Sequence, residues 1–389
     1  MRIAWVTRSF LDYRIPVFRE VDQLTNGGLH LSFSGEYVPE TVTAKAVETL
    51  GERAYPLTGE FKLGGEDQHH LANRNVSLRW QPGLGKHISR LQPDVLVADG
   101  FFKWTLPAAL HRLRHGTPLV INYERTRHTE RHAQGIRTRY RRQIVKLADA
   151  MDCSGRLCKE YTVEDLGMDP KRITLGHMSA DTDGLEAAVN AVSEAERAAL
   201  REKHGLGGVT FLYVGRLDER KGIREMLDGW EAAGFAPGAA TLLLVGDGPL
   251  REELQARAAP MGNVVFAGRV PYDELAPYYA AADAFLITTL EDNWSLVVPE
   301  AMAAALPVLS SVHNGCWPEL VRPENGWTFT PENTNQLAES LRQAQSQGRD
   351  GLAAMGRVSR EIVHDYGPDN AARSIVEACE IAIAHRGRG

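Results

Sequence analysis

Short apolar runs alternate along the whole chain with stretches whose apolar residues recur at helical spacing. The β-branched runs read as strands and the intervening stretches as helices laid over them, the pattern of parallel sheets covered by helices. In the first half, strands fall at residues 3–6, 29–33, 95–98 and 119–122, with helices at 15–24, entered through Pro16, and at 84–91. Residues 173–175 begin the exit from this half. The stretch 185–204 is polar and rich in Ala and Glu, suits an exposed helix, and runs into Gly205-Leu206-Gly207-Gly208. In the second half, strands at 210–214, 241–245, 264–267, 284–288 and 308–310 alternate with helices as in a doubly wound sheet, where ligands sit beyond the carboxyl ends of the strands. After Asp369, Ala372, Ile375, Val376, Cys379 and Ile383 recur as the apolar face of a terminal helix.

A chain of 389 residues fits two domains of ordinary size. The expected division is an N-terminal domain over 1–184, a linker over 185–208 and a C-terminal domain over 209–368. The helix over 369–389 is a candidate to pack back on the first domain.

Composition narrows the class. With 43% hydrophobic and 24% charged residues the chain is neither disordered nor fibrous. No run approaches the roughly 18 apolar residues of a membrane span, and the opening residues read as a strand, not a leader. Cys153, Cys158, Cys316 and Cys379 lack paired spacing, so neither a disulfide framework nor a zinc site is indicated and a cytoplasmic setting is expected. The net charge is -6, yet the stretch 125–146 holds eight Arg or Lys against one acid, Glu130. It reads either as a solvated helix face or as a patch for acceptor phosphates or an anionic lipid surface at the inner face of the membrane. Nucleic acid is disfavoured, because Tyr140 is the only interleaved aromatic.

Two segments carry candidate chemistry. In Tyr213-Val214-Gly215-Arg216-Leu217-Asp218-Glu219-Arg220-Lys221-Gly222 a strand runs into a glycine turn, placing Arg216 and Lys221 where they can stabilise the charge of a departing diphosphate. The bland alternative is a pair of solvated cations. In Leu290-Glu291-Asp292-Asn293-Trp294-Ser295-Leu296-Val297-Val298-Pro299-Glu300, Asp292 in the entry loop can hold sugar hydroxyls and Glu300 on the helix a ribose. The amides of Trp294, Ser295 and Leu296 are expected to point toward a phosphate. Here the alternative is an acidic first turn complementing the helix dipole. Three other motifs are set aside: Gly246-Asp247-Gly248 lacks the third glycine of a dinucleotide fingerprint, Asp181-Thr182-Asp183 lies at the interdomain exit, and His69-His70 has no metal-ligand spacing.

In order, these segments with Val245-Gly246-Asp247-Gly248-Pro249, Phe266-Ala267-Gly268-Arg269-Val270, Glu300-Ala301-Met302-Ala303-Ala304 and Leu306-Pro307-Val308 resemble the family-four retaining glycosyltransferases of the GT-B fold over nearly the whole second half. The resemblance implies an α/β protein with two facing Rossmann-like domains, each a doubly wound parallel sheet, the second binding the nucleotide sugar. It implies that Arg216 and Lys221 bind the donor diphosphate, Glu300 the ribose, Asp292 the donor sugar and the backbone at Val270 the base. Arg216, Lys221 and Asp292 are thus the expected catalytic residues; Gly215, Val270, Trp294, Ser295, Leu296 and Glu300 complete the donor site. The family's usual first acid is glutamate, and Asp292 has a shorter reach. In the first half, 94–99 and 118–122 resemble the family's strands and 176–181 its interdomain exit. Ser9-Phe10-Leu11-Asp12-Tyr13-Arg14 stands where many members carry a glycine-rich loop, and Glu124, with His128 nearby, where many carry a histidine. Phe10, Tyr13, Arg14, Glu124, Arg125 and His128 are the acceptor-side candidates.

The function implied is hexosyl transfer, with retention, from a UDP- or GDP-sugar to a glycan or lipid-linked hydroxyl, in bacterial cell-surface polysaccharide or glycolipid synthesis. No cofactor and no essential metal are expected. The alternatives are a sugar-nucleotide epimerase on the same scaffold, which needs no acceptor, and a non-catalytic sugar-nucleotide-binding protein.

Overall fold

The computed structural model describes residues 1–63, 78–101, 104–133 and 135–387. His69 and His70 lie outside the described residues. The chain divides into two compact units, Met1–Ser179 with Pro368–Gly389, and Ala180–Gly367.

The first unit is built on a seven-stranded sheet in the order β3-β2-β1-β6-β7-β8-β9, parallel throughout. Its strands are β1 (Ile3–Val6), β2 (Leu29–Ser34), β3 (Ala54–Leu57), β6 (Val95–Asp99), β7 (Leu119–Tyr123), β8 (Ala150–Cys153) and β9 (Ile173–Leu175). A separate antiparallel hairpin pairs β4 (Phe61–Leu63) with β5 (Leu78–Trp80). Successive side chains of a strand point to opposite faces, and both faces here are covered. Ile3, Trp5, Val95 and Val97 pack under the helices Ile15–Leu24, Glu40–Leu50 and Pro368–Arg386, whereas Ala4, Val6, Leu96 and Ala98 pack under Leu84–Leu91, Thr105–His115 and Gly135–Leu147. Two strands escape the hydrophobic pattern for physical reasons. β3 contains Pro56, tolerated because it pairs only with β2 at the sheet edge. β8 contains the buried Asp152, which breaks the apolar run.

The second unit has six parallel strands in the order β12-β11-β10-β13-β14-β15. They are β10 (Val209–Val214), β11 (Ala240–Val245), β12 (Val264–Gly268), β13 (Ala284–Ile287), β14 (Val308–Ser311) and β15 (Gly326–Phe329). Only four residues long and half-buried at its centre, β15 adds a sixth strand to the five expected.

Most of residues 185–208, the expected linker, is helical. The helices Thr182–Ala191 and Glu194–Lys203 pack on Ala276–Ala281 and Val297–Ala303 of the second unit, because Leu185 and Val189 make the first of them amphipathic. The Asp181 carboxylate caps that helix, accepting from the Gly184 amide at 3.0 Å. The terminal helix Pro368–Arg386 packs against Ile15–Leu24 and across β6 to β9. Ala372, Ile375 and Cys379 of the expected face are buried and Val376 packs beside them; Ala371, Ala378 and Ala382 widen the seam, and Ile383 alone of the expected set is exposed. Small residues at this spacing let the helix approach closely, and Cys379 packs there as a small core side chain.

One polar contact ties this helix to the sheet. Ser374 Oγ and Thr174 Oγ1 donate to Asp152 Oδ1 at 2.7 and 2.8 Å. Burial pushes the Asp152 carboxyl up to about 6, while these hydrogen bonds pull against that shift. Ser374→Ala leaves this buried acceptor short of a donor and is expected to lower stability by about 1–3 kcal/mol. Urea unfolding measures it; an unchanged midpoint contradicts the contact's role.

Candidate functional site

The second unit gathers its polar groups where β10 and β13 run side by side and their carboxyl ends open into loops. After β10 the chain turns through Glu219–Lys221 into a helix, Ile223–Ala233, with Gly222 left-handed at φ 63°. A Cβ on Gly222 would lie 2.3 Å from the Thr288 carbonyl oxygen, so only glycine allows the two loops to meet. Thr288 Oγ1 donates to the Gly222 carbonyl at 2.7 Å, Thr289 Oγ1 to the Arg220 carbonyl at 3.0 Å, and the Leu290 amide to Arg220 at 2.8 Å.

This stitching sets Lys221 Nζ 2.6 Å from Asp292 Oδ2. Ser295 Oγ also donates to Asp292 Oδ2, at 2.7 Å, and the Trp294 amide to Oδ1 at 3.2 Å. Burial raises the Asp292 carboxyl, but the Lys221 ammonium and the hydrogen bonds from Lys221, Ser295 and Trp294 outweigh it and hold the carboxyl below its ordinary value. Asp292 is therefore a fixed carboxylate, able to accept further hydrogen bonds but a poor proton acceptor near neutrality.

Two expectations for this loop are corrected. The Trp294 and Ser295 amides do not point freely at a phosphate: Asp292 takes the first and Asn314 Oδ1, at 3.2 Å, the second. The Trp294 ring is buried, with Tyr366 6.3 Å away between centroids, so it serves packing. Leu296 is the N-cap of the short helix Val297–Ala303. Glu300, on that helix, is buried and accepts from Tyr279 Oη at 3.0 Å. Burial pushes its carboxyl up to about 7 against the hydrogen bonds from Tyr279 and Tyr272. Tyr279, three residues before Ala282 on the helix Ala276–Ala281, carried no signal in the sequence beyond an apolar helix face.

Gly215, Arg216 and Val270 line a cavity of about 640 Å³ with Gly246, Asp247, Gly248 and Arg269. Gly246, at φ 147°, leaves no room for a side chain, since a Cβ would fall 1.8 Å from the Gly215 carbonyl oxygen. The Arg216 side chain is 69% exposed and lies 3.6 Å from Asp218. Its guanidinium is thus open to solvent, whereas the Lys221 ammonium is held against Asp292.

A second cavity, of about 500 Å³, opens in the first unit above the carboxyl ends of β1, β6 and β7. Phe10, Tyr13, Arg14, Glu124 and Arg125 line it, and His128 lies outside its lining. Phe10 is mainly core, edge-on to Phe18 and Phe33. Arg14 donates to Asp99 at 2.7 Å, and Trp5 Nε1 fixes the same carboxylate at 3.0 Å. Arg8 donates to Glu60 at 2.9 Å with its guanidinium stacked over Tyr37. The Arg8 and Asp99 contacts were missed in the sequence, although Arg8 follows β1 and Asp99 ends β6, at the end where ligands sit.

The basic stretch splits into inward and outward halves. Arg137 and Arg141 are buried, and Arg141 pairs with Glu130 at 2.7 Å and donates to Tyr161 at 3.2 Å. It is therefore not a uniform solvated face, because a helix lying on a sheet turns every third or fourth position inward.

Residues 208–347 match the family described as Glycosyl transferases group 1. The chain is 28% identical over 285 residues to a 2-deoxystreptamine glucosyltransferase of Streptomyces kanamyceticus, covering 72% of this chain and 65% of the relative. It is 28% identical over 341 residues to a sulfoquinovosyl transferase of Arabidopsis thaliana, covering 85% and 62%. The chain thus spans less than two thirds of the length of these curated relatives. The Anabaena protein HepE in complex with UDP superposes with a TM-score of 0.73 at 16% identity, over 97% of this chain and 99% of that one.

The raised Glu300 carboxyl generates a pH signature. The folded state holds this proton more tightly than the unfolded chain, so the associated stability is present below about 4.5 and is lost as pH rises through about 7. Glu300→Gln removes that loss. Urea unfolding without ligand should show the variant gaining on the parent between pH 5 and pH 8; an equal difference at both values contradicts the assignment.

Proposed function

We infer that this chain, which belongs to the GT-B glycosyltransferases of the family-four type, moves a hexosyl group from a UDP- or GDP-sugar to an acceptor hydroxyl with retention of configuration. The observation that carries this reading is the Lys221–Asp292–Ser295 network set beside β10. A diphosphate gains negative charge as the glycosidic bond breaks. Arg216 and Lys221 are the cations available to meet it, and stabilisation of developing charge is usually the largest catalytic contribution. Asp292, kept ionised, accepts from donor-sugar hydroxyls, and Glu300 from the ribose. Gly215 and the backbone at Val270 belong to the cavity that would take the nucleoside.

Retention without a carboxylate nucleophile is consistent with Asp292, whose charge is balanced by Lys221 and whose oxygens also accept from Ser295 and the Trp294 amide. A front-face path, in which the leaving phosphate takes the acceptor proton, needs no further base from the second unit. The cavity bearing Tyr13, Arg14, Glu124 and Arg125 is the candidate acceptor site. The named glucosyl and sulfoquinovosyl activities of the relatives support the hexosyl class, and synthesis of cell-surface polysaccharide or glycolipid is a setting that uses it.

Lys221→Ala is expected to lower turnover about 10²–10³-fold with the fold retained. The assay is release of nucleoside diphosphate from UDP- and GDP-sugars with a panel of glycan and lipid-linked acceptors, with the anomeric configuration of the product read by NMR. Near-parental turnover contradicts the role of Lys221. Inversion contradicts the stereochemistry, and an isomerised sugar nucleotide from donor alone points to the epimerase.

A further inference from the structure

Three neighbouring helices, Leu84–Leu91, Thr105–His115 and Gly135–Leu147, cover one face of the first sheet. None contains an Asp or Glu, although the chain carries 50 acids against 44 Lys and Arg. Two of the cations that turn inward are neutralised: Arg112 by Asp149 at 2.8 Å and Arg141 by Glu130. Those that turn outward are not. Arg114, Arg139 and Lys146 are exposed and have no ion-pair partner among the described residues. On the same two helices Leu110, Leu113 and Ile136 are exposed to 48, 59 and 72%.

We propose that this outward face of Thr105–His115 and Gly135–Leu147 docks on an anionic lipid bilayer. Large apolar side chains interspersed with cations, on helices that themselves carry no carboxylate, are what an interfacial surface requires, the apolar groups entering the acyl boundary and the cations meeting headgroup phosphates. A polyanion such as nucleic acid would engage the cations and leave Leu110, Leu113 and Ile136 in water; a bilayer uses both sets. Net charge supplies no general attraction, since the chain is acidic overall, so binding must come from a local face within reach of a Debye length. No described helix is long and apolar enough to cross a membrane, so the contact is peripheral. This surface is independent of the transfer chemistry, and its test reads binding alone.

The full chain is sedimented with phosphatidylcholine vesicles, with and without phosphatidylglycerol, at low and physiological salt. The parent should bind only vesicles that contain phosphatidylglycerol. Replacing Arg114, Arg139 and Lys146 together by Gln should weaken binding roughly 100-fold at low salt, about fivefold per cation. Leu110→Ser, Leu113→Ser and Ile136→Ser together should abolish the part that persists at physiological salt. A control with Lys171, Lys203 and Arg357 changed to Gln loses the same charge elsewhere and should bind like the parent; thermal melts confirm that every variant folds. Absence of parental binding overturns the proposal, as does equal loss in the control. Full retention by the apolar variant also overturns it, marking a general polyanion site.

Discussion

A lysine ammonium 2.6 Å from a carboxylate, at the open end of a parallel sheet, is the contact around which the second unit is arranged. Two half-buried charges are stable there only because each is answered: Asp292 by Lys221, Ser295 and the Trp294 amide, and the approach of their loops by a glycine and two threonines. Removing either charge would leave the other desolvated without its partner. In the proposed reaction a donor diphosphate draws on the same ammonium, and the sugar hydroxyls on the same carboxylate. Ligand binding then replaces an internal pair with two external contacts and leaves no charge uncompensated.

Glu300 illustrates the complementary case. Buried beside two tyrosines with no cation, its carboxylate is held at a cost to the ligand-free fold, and burial raises it toward neutrality. A ribose would add donors to those of Tyr279 and Tyr272. Local instability retained at a position that binds ligand is a common trade between stability and function.

Much of this was legible in the sequence because the second unit's central strands, β10 and β11 among them, are buried on both faces and read as largely apolar runs. Its glycines sit where backbones touch. The first unit was harder. Pro56 hides an edge strand and Asp152 interrupts a central one, and Asp99, Arg8 and Glu60 act through partners 44 to 94 positions away in sequence. The basic stretch read as one feature, yet helical periodicity divides it into a buried network around Glu130 and an outward face. The free amides expected at Trp294 and Ser295 were misjudged for a related reason: Asn314, which takes one of them, arrives from the loop after β14.

The central claim, that the second unit is a nucleotide-sugar site, is tested most directly by thermal unfolding of the parent chain across a panel of UDP- and GDP-sugars and the free nucleoside diphosphates. A ligand that binds only the folded state stabilises it by about 2.7 kcal/mol at a hundredfold excess over its Kd. The account predicts a saturable rise in Tm with sugar nucleotides of one base and a smaller or absent rise with the other. A folded chain whose Tm is unmoved by every member of the panel would contradict it.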